Sequence, residues 1–415
     1  MAVSVVAAPV AVAAPAGQER IDRRLIAVLT GGHLFDDINQ GAVPAMLPFF
    51  LSDRHLSYAA VSGLVLAGTI ASSVVQPAFG HWADRRSVSW LAPLGVFTAG
   101  LGVALAGVAP TYWLAFLCIA VSGVGVAAFH PEASRMANYA SGTRRATGMS
   151  FFSVGGNLGF ALGPLVATPL LVAFGLRGTT FLVLPAACMA VVMLAHAKRF
   201  GELRRAVTIR RSRSLEEATD AWNPFARLTA AVICRSIVFY GLNTFIPLYW
   251  IANLHASKAE AGFALGLFGL TGAAGTLIGG RLADRFGRRI VVAASLSLLC
   301  PAILALLLAP AAWIGLLLLV PVALTLYASN SVMVVMGQEL LPNHIGTASG
   351  VTLGLAITIG GLTVPLLGHG ADLYGIHAAL LGVAFLPIAA VSLALTLPTR
   401  RVLVHEAPRY NALRA

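Results

Sequence analysis

Long apolar runs separated by short polar breaks dominate the chain. Most runs have about 20 residues, the length that an α-helix needs to cross a hydrocarbon core of about 30 Å. The pattern predicts twelve helices, near residues 25–51, 57–80, 89–109, 112–134, 146–174, 177–197, 225–251, 258–280, 289–309, 311–338, 345–368 and 376–397. The fold class expected from this pattern is an all-α membrane protein.

A single long polar segment, residues 198–224, divides these helices into two sets of six. The N-terminal stretch is apolar, but it lacks a basic start and contains Pro9 and Pro15, so we interpret it as a disordered tail, with an uncleaved signal as the alternative. The predicted units are a tail at 1–24, a six-helix bundle at 25–197, a cytoplasmic linker at 198–224, a second six-helix bundle at 225–397 and a tail at 398–415.

The two halves resemble each other at an offset of about 200 residues. The matching pairs are Gly80 and Gly280, Asp84 and Asp284, Arg85 and Arg285, and Thr147 and Thr347. An offset that persists through five helices indicates a duplicated unit. In transporters built from such repeats, two bundles rock about a shared site near the membrane midplane.

Composition and charge agree with a membrane location. Apolar residues make up 58% of the chain and charged residues only 11%, too few charges for a soluble globule of this size. The net charge of +12 comes from scattered clusters, so we expect no nucleic-acid partner. If the N-terminus is cytoplasmic, the outer loops hold only Arg54, Arg177 and Lys258, which places both termini and the linker inside.

The four cysteines all lie within apolar runs and lack the spacing of metal or disulfide motifs. They are Cys118, Cys188, Cys234 and Cys300. We interpret them as small packing residues, so neither a disulfide nor a metal site is predicted.

The loop after the eighth helix reads GRLADRFGRR, from Gly280 to Arg289, and its counterpart in the first half reads GHWADRRSVS. This loop resembles the signature loop of the major facilitator superfamily, which implies two six-helix bundles. An aspartate and arginines in a tight turn can form ion pairs that break when that side opens, or can serve only to fix topology. The candidate gating residues here are Asp84, Arg85, Asp284, Arg285 and Arg288, whereas Glu339 is assigned no transport role.

The fifth helix contains GGNLGFALGP, in which Gly159, Gly163 and Pro164 match the core of a motif similar to that of the superfamily's antiporters. Its later glycines are replaced by Ala167 and Thr168. Small residues four positions apart also indicate close helix packing alone.

Three segments together resemble the fosmidomycin resistance protein family of drug exporters. They are HLFDDINQ (33–40), AFHPEASRMA (128–137) and SVGGNLGFALGP (153–164). The resemblance is concentrated in the first half of the chain and implies proton-driven efflux across a bacterial inner membrane.

The first helix carries ionisable residues at a depth where they are costly and usually functional. Asp36 and Asp37 lie about 17 Å from the helix start, and His33 shares a face with Asp37. We therefore predict that these three side chains handle protons. Arg235 reaches a similar depth in the seventh helix and can pair with Asp37 or with an anionic substrate, the alternative being a static structural ion pair.

Further candidates lie on helices 1, 4 and 5. Glu132 and Arg135 are i,i+3 neighbours expected near the cytoplasmic surface, about 28 Å along the fourth helix, where a gating ion pair and a proton-coupling role for Glu132 are equally compatible. His130 is a proton relay or a packing residue. Asn157 and Gln40 are candidate substrate ligands, with interhelical hydrogen bonding as the other role of Asn157.

The leading hypothesis is a monomeric proton-coupled exporter of a small molecule, with lipid and protons as its other partners and no cofactor besides the proton gradient. A metabolite importer of the same superfamily is the alternative. ATP hydrolysis is excluded because the only lysines, Lys198 and Lys258, follow Ala and Ser rather than the Gly of a P-loop, and no HExxH is present. A channel is disfavoured because the repeat indicates alternating access.

Overall fold

The computed structural model describes residues 21–85, 90–142, 144–208 and 220–398. The two predicted tails therefore lie almost wholly outside the described residues, as does the central part of the predicted linker.

The first half forms one bundle. Its helices are α1 (Arg23–Arg54), α2 (Tyr58–Arg85), α3 (Leu91–Val108), α4 (Tyr112–Ala140), α5 (Arg145–Phe174) and α6 (Val183–Ala195), with a 3₁₀ segment at Gly175–Leu182 before α6. A further helix, α7 (Ala197–Thr208), occupies the start of the predicted linker. Arg199 of α7 pairs with Asp22 at 2.7 Å, and Phe200 is buried against the bundle, so this part of the linker is docked on the first half.

The second half repeats the arrangement. Its helices are α8 (Trp222–Ala252), α9 (Lys258–Phe286), α10 (Arg288–Leu307), α11 (Ala312–Ala328), α12 (Asn330–Leu340), α13 (Ile345–Ser349), α14 (Ala356–Ala384) and α15 (Leu386–Leu395), with a π-helical segment at Gly350–Leu355. Gly375 interrupts α14 with a φ of 83°, a conformation open to glycine, and this break turns the chain between two crossings.

Nine helical stretches of the described residues are long and apolar enough to cross a membrane, and two of them, of 49 and 38 residues, have length for two crossings each. The first helix, α1, falls below that apolar criterion because of the polar residues between His33 and Gln40. Together these make twelve spans, so the predicted fold class is confirmed.

Several helices extend beyond their predicted ends: α4, for example, ends at Ala140 rather than near residue 134. Hydropathy marks the part of a helix that lies in hydrocarbon, whereas the hydrogen-bonded backbone continues into water with polar side chains. The predicted helix bounds were therefore too short at these ends.

Glycines bring α1 and α5 into close contact. A Cβ atom on Gly159 would lie 2.2 Å from the carbonyl oxygen of Leu34, and one on Gly163 would lie 2.6 Å from that of Ile38. A real Cβ cannot approach a backbone oxygen so closely. The antiporter-like glycines thus form the packing surface of the fifth helix, and Pro164 follows directly within α5.

The two bundles meet at one end of the molecule. We call the end where α1 stops and α2 begins the distal side, and the opposite end, where α1 starts, the terminal side. Near the distal side, a Cβ on Gly262 would lie 2.0 Å from Oγ1 of Thr168 in the other bundle, and one on Gly368 would lie 2.7 Å from the carbonyl oxygen of Tyr58.

Towards the terminal side, glycines of the same helices face their own bundles instead: Gly155 of α5 faces Thr30, and Gly279 of α9 faces Ala328. In the described residues, the glycine contacts between the bundles therefore lie in the distal half and the middle of the molecule, whereas the glycines nearest the terminal side contact their own bundle.

Candidate functional site

The polar residues of α1 form a cluster in the interior of the first bundle. Nε2 of His33 lies 3.3 Å from Oδ2 of Asp37, its i,i+4 neighbour. The other ring nitrogen, Nδ1, lies 2.8 Å from the carbonyl oxygen of Phe152 on α5, and the two rings stack with centroids 4.2 Å apart. The imidazole is therefore held on both sides.

These contacts determine where protons can be. A carbonyl oxygen only accepts hydrogen bonds, so Nδ1 of His33 must carry a proton to bond Phe152. In a neutral imidazole Nε2 is then a bare acceptor, which would face the bare oxygen of an ionised Asp37. A hydrogen bond between these two atoms therefore needs one more proton, on Nε2 or on the carboxyl.

A second histidine joins the cluster from α4. Nε2 of His130 lies 3.3 Å from Oδ2 of Asp36 and 3.4 Å from Oδ1 of Asp37. The Asp36 side chain is fully buried, and its oxygens accept no hydrogen bond within the described residues. A buried carboxylate without donors is costly. His130, a candidate relay by sequence, is thus the one basic group that the described structure places against Asp36.

The sequence did not reveal the role of Gly156. A Cβ atom at this position of α5 would lie 2.4 Å from Nε2 of His33 and 2.7 Å from Oδ2 of Asp37. Any larger residue would occupy the space of the pair. The double glycine of the GGN sequence is the signal that could have found it.

The cluster borders a cavity between the two bundles. The empty space here is about 460 Å³, part of which opens to solvent, and it is lined by α1, α2, α4 and α5 of the first bundle and by α8 of the second. Its polar lining residues are Gln40, Thr69, Ser122, Tyr240 and Asn243. Of these residues only Gln40 was predicted from the sequence. Asn243 was missed, although a polar residue within an apolar helix is a signal of a functional position.

Gln40 connects the cavity to the cluster. Its side-chain amide donates a hydrogen bond to Oδ1 of Asp37, while the same residue lines the cavity. A change in the protonation of Asp37 therefore changes the hydrogen bonding of a cavity wall.

Arg235 lies on α8 in an aromatic environment. Its Nε donates to the carbonyl oxygen of Leu326 at 3.3 Å, and its guanidinium carbon is 6.0 Å from the ring centre of Phe239, a neighbour of Tyr240. Within the described residues it forms no ion pair with Asp37, one of the two partners that the sequence suggested. The residue is buried, with a relative exposure of 7%, so its charge is enclosed without a carboxylate at hand among the described side chains.

The predicted pair of Glu132 and Arg135 is present, with an ion pair between the two side chains. Glu132 is buried within the bundle, with 1% exposure, and its expected depth near the cytoplasmic surface stays a prediction. The helix continues for eight residues beyond Glu132 to Ala140. Glu132 follows His130 by two residues, so the ion pair lies beside the cluster that His130 forms with Asp36 and Asp37.

Asn157 is exposed and makes no hydrogen bond within the described residues. It lies four residues before Ala161, on the stripe of α5 that meets α9 through Ala161, Leu165 and Thr168. Asn157 therefore lies on the side of α5 that faces the second bundle, but it is not among the residues that line the cavity.

The candidate gating residues are only partly resolved by this conformation. The side chains of Asp84 and Arg85 lie outside the described residues. Asp284 and Arg285 are exposed, and Asp284 has no ion pair within the described part of the chain. Arg288 instead forms an ion pair with Glu339, a residue to which the sequence assigned no role.

Twelve spans in two repeated bundles around a shared cavity define a membrane transporter. A family model for the Major Facilitator Superfamily matches residues 29–365 and 228–409, and the chain belongs to this superfamily. It is 32% identical over 412 residues to the fosmidomycin resistance protein of Escherichia coli (strain K12), covering 97% of this chain and 99% of that protein. It is 33% identical to the uncharacterized MFS-type transporter YfnC of Bacillus subtilis (strain 168), covering 88% and 91%.

Solved structures share the fold. A bacterial homologue of the human lysosomal transporter Spinster, in an inward-facing and occupied conformation, superposes with a TM-score of 0.76 at 16% identity, covering 90% of this chain and 96% of that one. The nucleoside transporter NupG, as a D323A mutant, gives a TM-score of 0.70 at 15% identity, covering 90% and 99%. The predicted resemblance to the superfamily is confirmed.

Proposed function

We propose that the protein exports a small anionic molecule across a bacterial inner membrane in exchange for protons. The observation that supports this proposal most is the contact between Gln40 and Asp37. It joins the pair of His33 and Asp37, where we propose that the exchanged proton is held, to the wall of the cavity. Loading or releasing the proton then alters the cavity that binds the substrate, which is the coupling that an antiporter needs.

The burial of Arg235 supports an anionic substrate. Among the described residues the buried guanidinium has a single hydrogen-bond acceptor, the carbonyl oxygen of Leu326, which leaves its charge poorly compensated. Arg235 lies five residues before Tyr240, which lines the cavity, and an anionic group bound beside that residue would offset the cost. Tyr240 and Asn243 of the same helix add hydrogen-bonding groups to the cavity wall.

The contacts between the bundles on the distal side fit one stage of the export cycle. With the basic linker and both termini in the cytoplasm, the terminal side is the cytoplasmic side. With its distal side closed, the structure fits the stage at which an exporter accepts substrate from the cell and an importer releases it. In the opposite state the terminal ends approach each other, and Asp84, Arg85, Asp284 and Arg285 become available for ion pairs there.

Export is tested by expressing the chain in a transporter-deficient bacterial host. The compound panel includes fosmidomycin, because the name of the Escherichia coli relative indicates resistance to it. We expect lower accumulation and lower susceptibility for at least one anionic compound, and an uncoupler should abolish both. Higher accumulation on expression would identify an importer and overturn the proposal.

Replacing Arg235 with glutamine is expected to weaken export of anionic compounds selectively. A hydrogen bond to a charged group contributes about 1.5–3 kcal/mol, so the KM should rise about 10- to 150-fold. The measurement is initial transport rate against concentration in inverted membrane vesicles. Arg227→Gln is the matched control, because Arg227 is an exposed arginine of the same helix. An equal loss for neutral compounds would show that Arg235 serves the fold and not the anion.

A further inference from the structure

The helices α2 and α9 occupy equivalent positions in the two halves, but their N-termini on the distal side are capped differently. Both begin after a serine: Ser57 accepts from the amide of Ala60 at 3.1 Å, and Ser257 accepts from that of Glu260 at 3.2 Å. In α9 the Glu260 carboxylate also accepts a hydrogen bond from the backbone amide of Ser257 at 2.8 Å, which completes a capping box within one bundle. In α2 the equivalent residue is Ala60, which has no carboxylate.

The missing carboxylate is supplied by the other bundle. Oδ1 of Asp372 accepts from the amide of Tyr58 at 2.7 Å, and Oδ2 accepts from that of Ala59 at 3.0 Å. Asp372 belongs to α14, so the first turn of α2 is capped across the bundle interface. The corresponding position in the first half is Val172, which cannot cap α9 in return.

The location of Asp372 argues against a role within its own helix. It lies three residues before Gly375, at the end of a helical run, where a negative charge is unfavourable for the helix dipole. The same charge is favourable at the N-terminus of α2, where backbone amides are unpaired. Its contacts therefore stabilise the joined bundles and not α14 itself.

We propose that Asp372 is a latch that holds the distal side closed by capping α2. Moving the bundles apart on that side exposes the amides of Tyr58 and Ala59, which must then be solvated by water. Lys258 forms a second distal contact, with Ser52 at 2.6 Å and Asp53 at 3.4 Å in the first bundle. The proposal concerns the conformational equilibrium and requires alternating access, but not a particular substrate or ion.

The test measures the distal separation of the bundles in lipid nanodiscs. Spin labels are placed at Val108→Cys and Leu308→Cys, which are exposed at the distal ends of α3 and α10 in opposite bundles, after the four native cysteines have been replaced. Because loss of a helix cap changes stability by about 0.5–2 kcal/mol, Asp372→Asn and Asp372→Ala should raise the ratio of distally open to closed molecules by about 2- to 30-fold.

Two further variants separate a latch from a simple structural cap. Glu260→Ala removes a cap that lies within one bundle, so it should lower thermal stability without changing the distances. Adding Ala60→Glu to Asp372→Asn gives α2 the same capping box that Ser257 and Glu260 form in α9. This double variant should regain thermal stability, while the distances between the spin labels stay long. If the Asp372 variants lose stability without any shift in distance, or if Ala60→Glu restores the short distances, the latch is rejected, whatever the transported substrate.

Discussion

An Asp37→Asn protein is expected to reach the membrane at normal levels and to lose pH-driven transport, down to the rate of empty vesicles. An asparagine amide supplies a permanent N–H to Nε2 of His33, the contact that Asp37 makes at 3.3 Å, so the site mimics its proton-loaded state. The side chains have nearly the same size, and Gln40 can bond to the new amide oxygen. Proteoliposomes with an imposed pH gradient measure the loss.

In the same proteoliposomes, substrate exchange distinguishes loss of proton coupling from loss of the folded protein. Exchange of labelled for unlabelled substrate needs no net proton movement, so Asp37→Asn should retain it. Glu202→Gln is the matched control, because it neutralises an exposed carboxylate on α7 and should leave both activities intact. Unchanged pH-driven transport in Asp37→Asn would remove Asp37 as the proton carrier and direct attention to Asp36.

Gly163→Val is expected to destabilise the first bundle by about 3 kcal/mol or more. The added Cβ would lie 2.6 Å from the carbonyl oxygen of Ile38 and 2.7 Å from the amide nitrogen of Ala42, both backbone atoms of α1. Backbone cannot rotate away as a side chain can, so the two helices must separate, and overpacking of this kind costs about 1–3 kcal/mol or more. Thermal unfolding in detergent and the yield of folded protein measure the effect.

Gly382 provides the control for that substitution. It lies within α14, and no atom comes within 4 Å of the position of its missing Cβ. Gly382→Val should therefore leave unfolding almost unchanged. Equal stability of the two variants would show that the close approach of α1 and α5 does not limit stability.

The architecture was largely predictable because it depends on local periodicity. A run of apolar residues long enough to cross the bilayer must satisfy its backbone hydrogen bonds internally, so it forms a helix whatever its neighbours are. The repeat and the loop motifs then indicated the superfamily. Helix ends were less accurate, as for α4, because water satisfies the backbone of polar turns beyond the membrane.

The candidate site was predictable only where its residues are close in sequence. His33 with Asp37, and Glu132 with Arg135, follow from helical spacing, and the structure places each pair in contact. The partner of Asp36 did not follow, because His130 lies on a different helix.

The sequence by itself determined which residues are anomalous: two aspartates in an apolar helix, an arginine in another, and glycines four positions apart. Only the tertiary structure decided their partners. Arg235 could have met Asp37, but it bonds to the carbonyl oxygen of Leu326 and faces aromatic rings, while Asp37 is shared by His33, His130 and Gln40. The physical reason is that spacing along one helix sets distances of a few residues, whereas contacts between helices depend on how the glycine-lined surfaces pack.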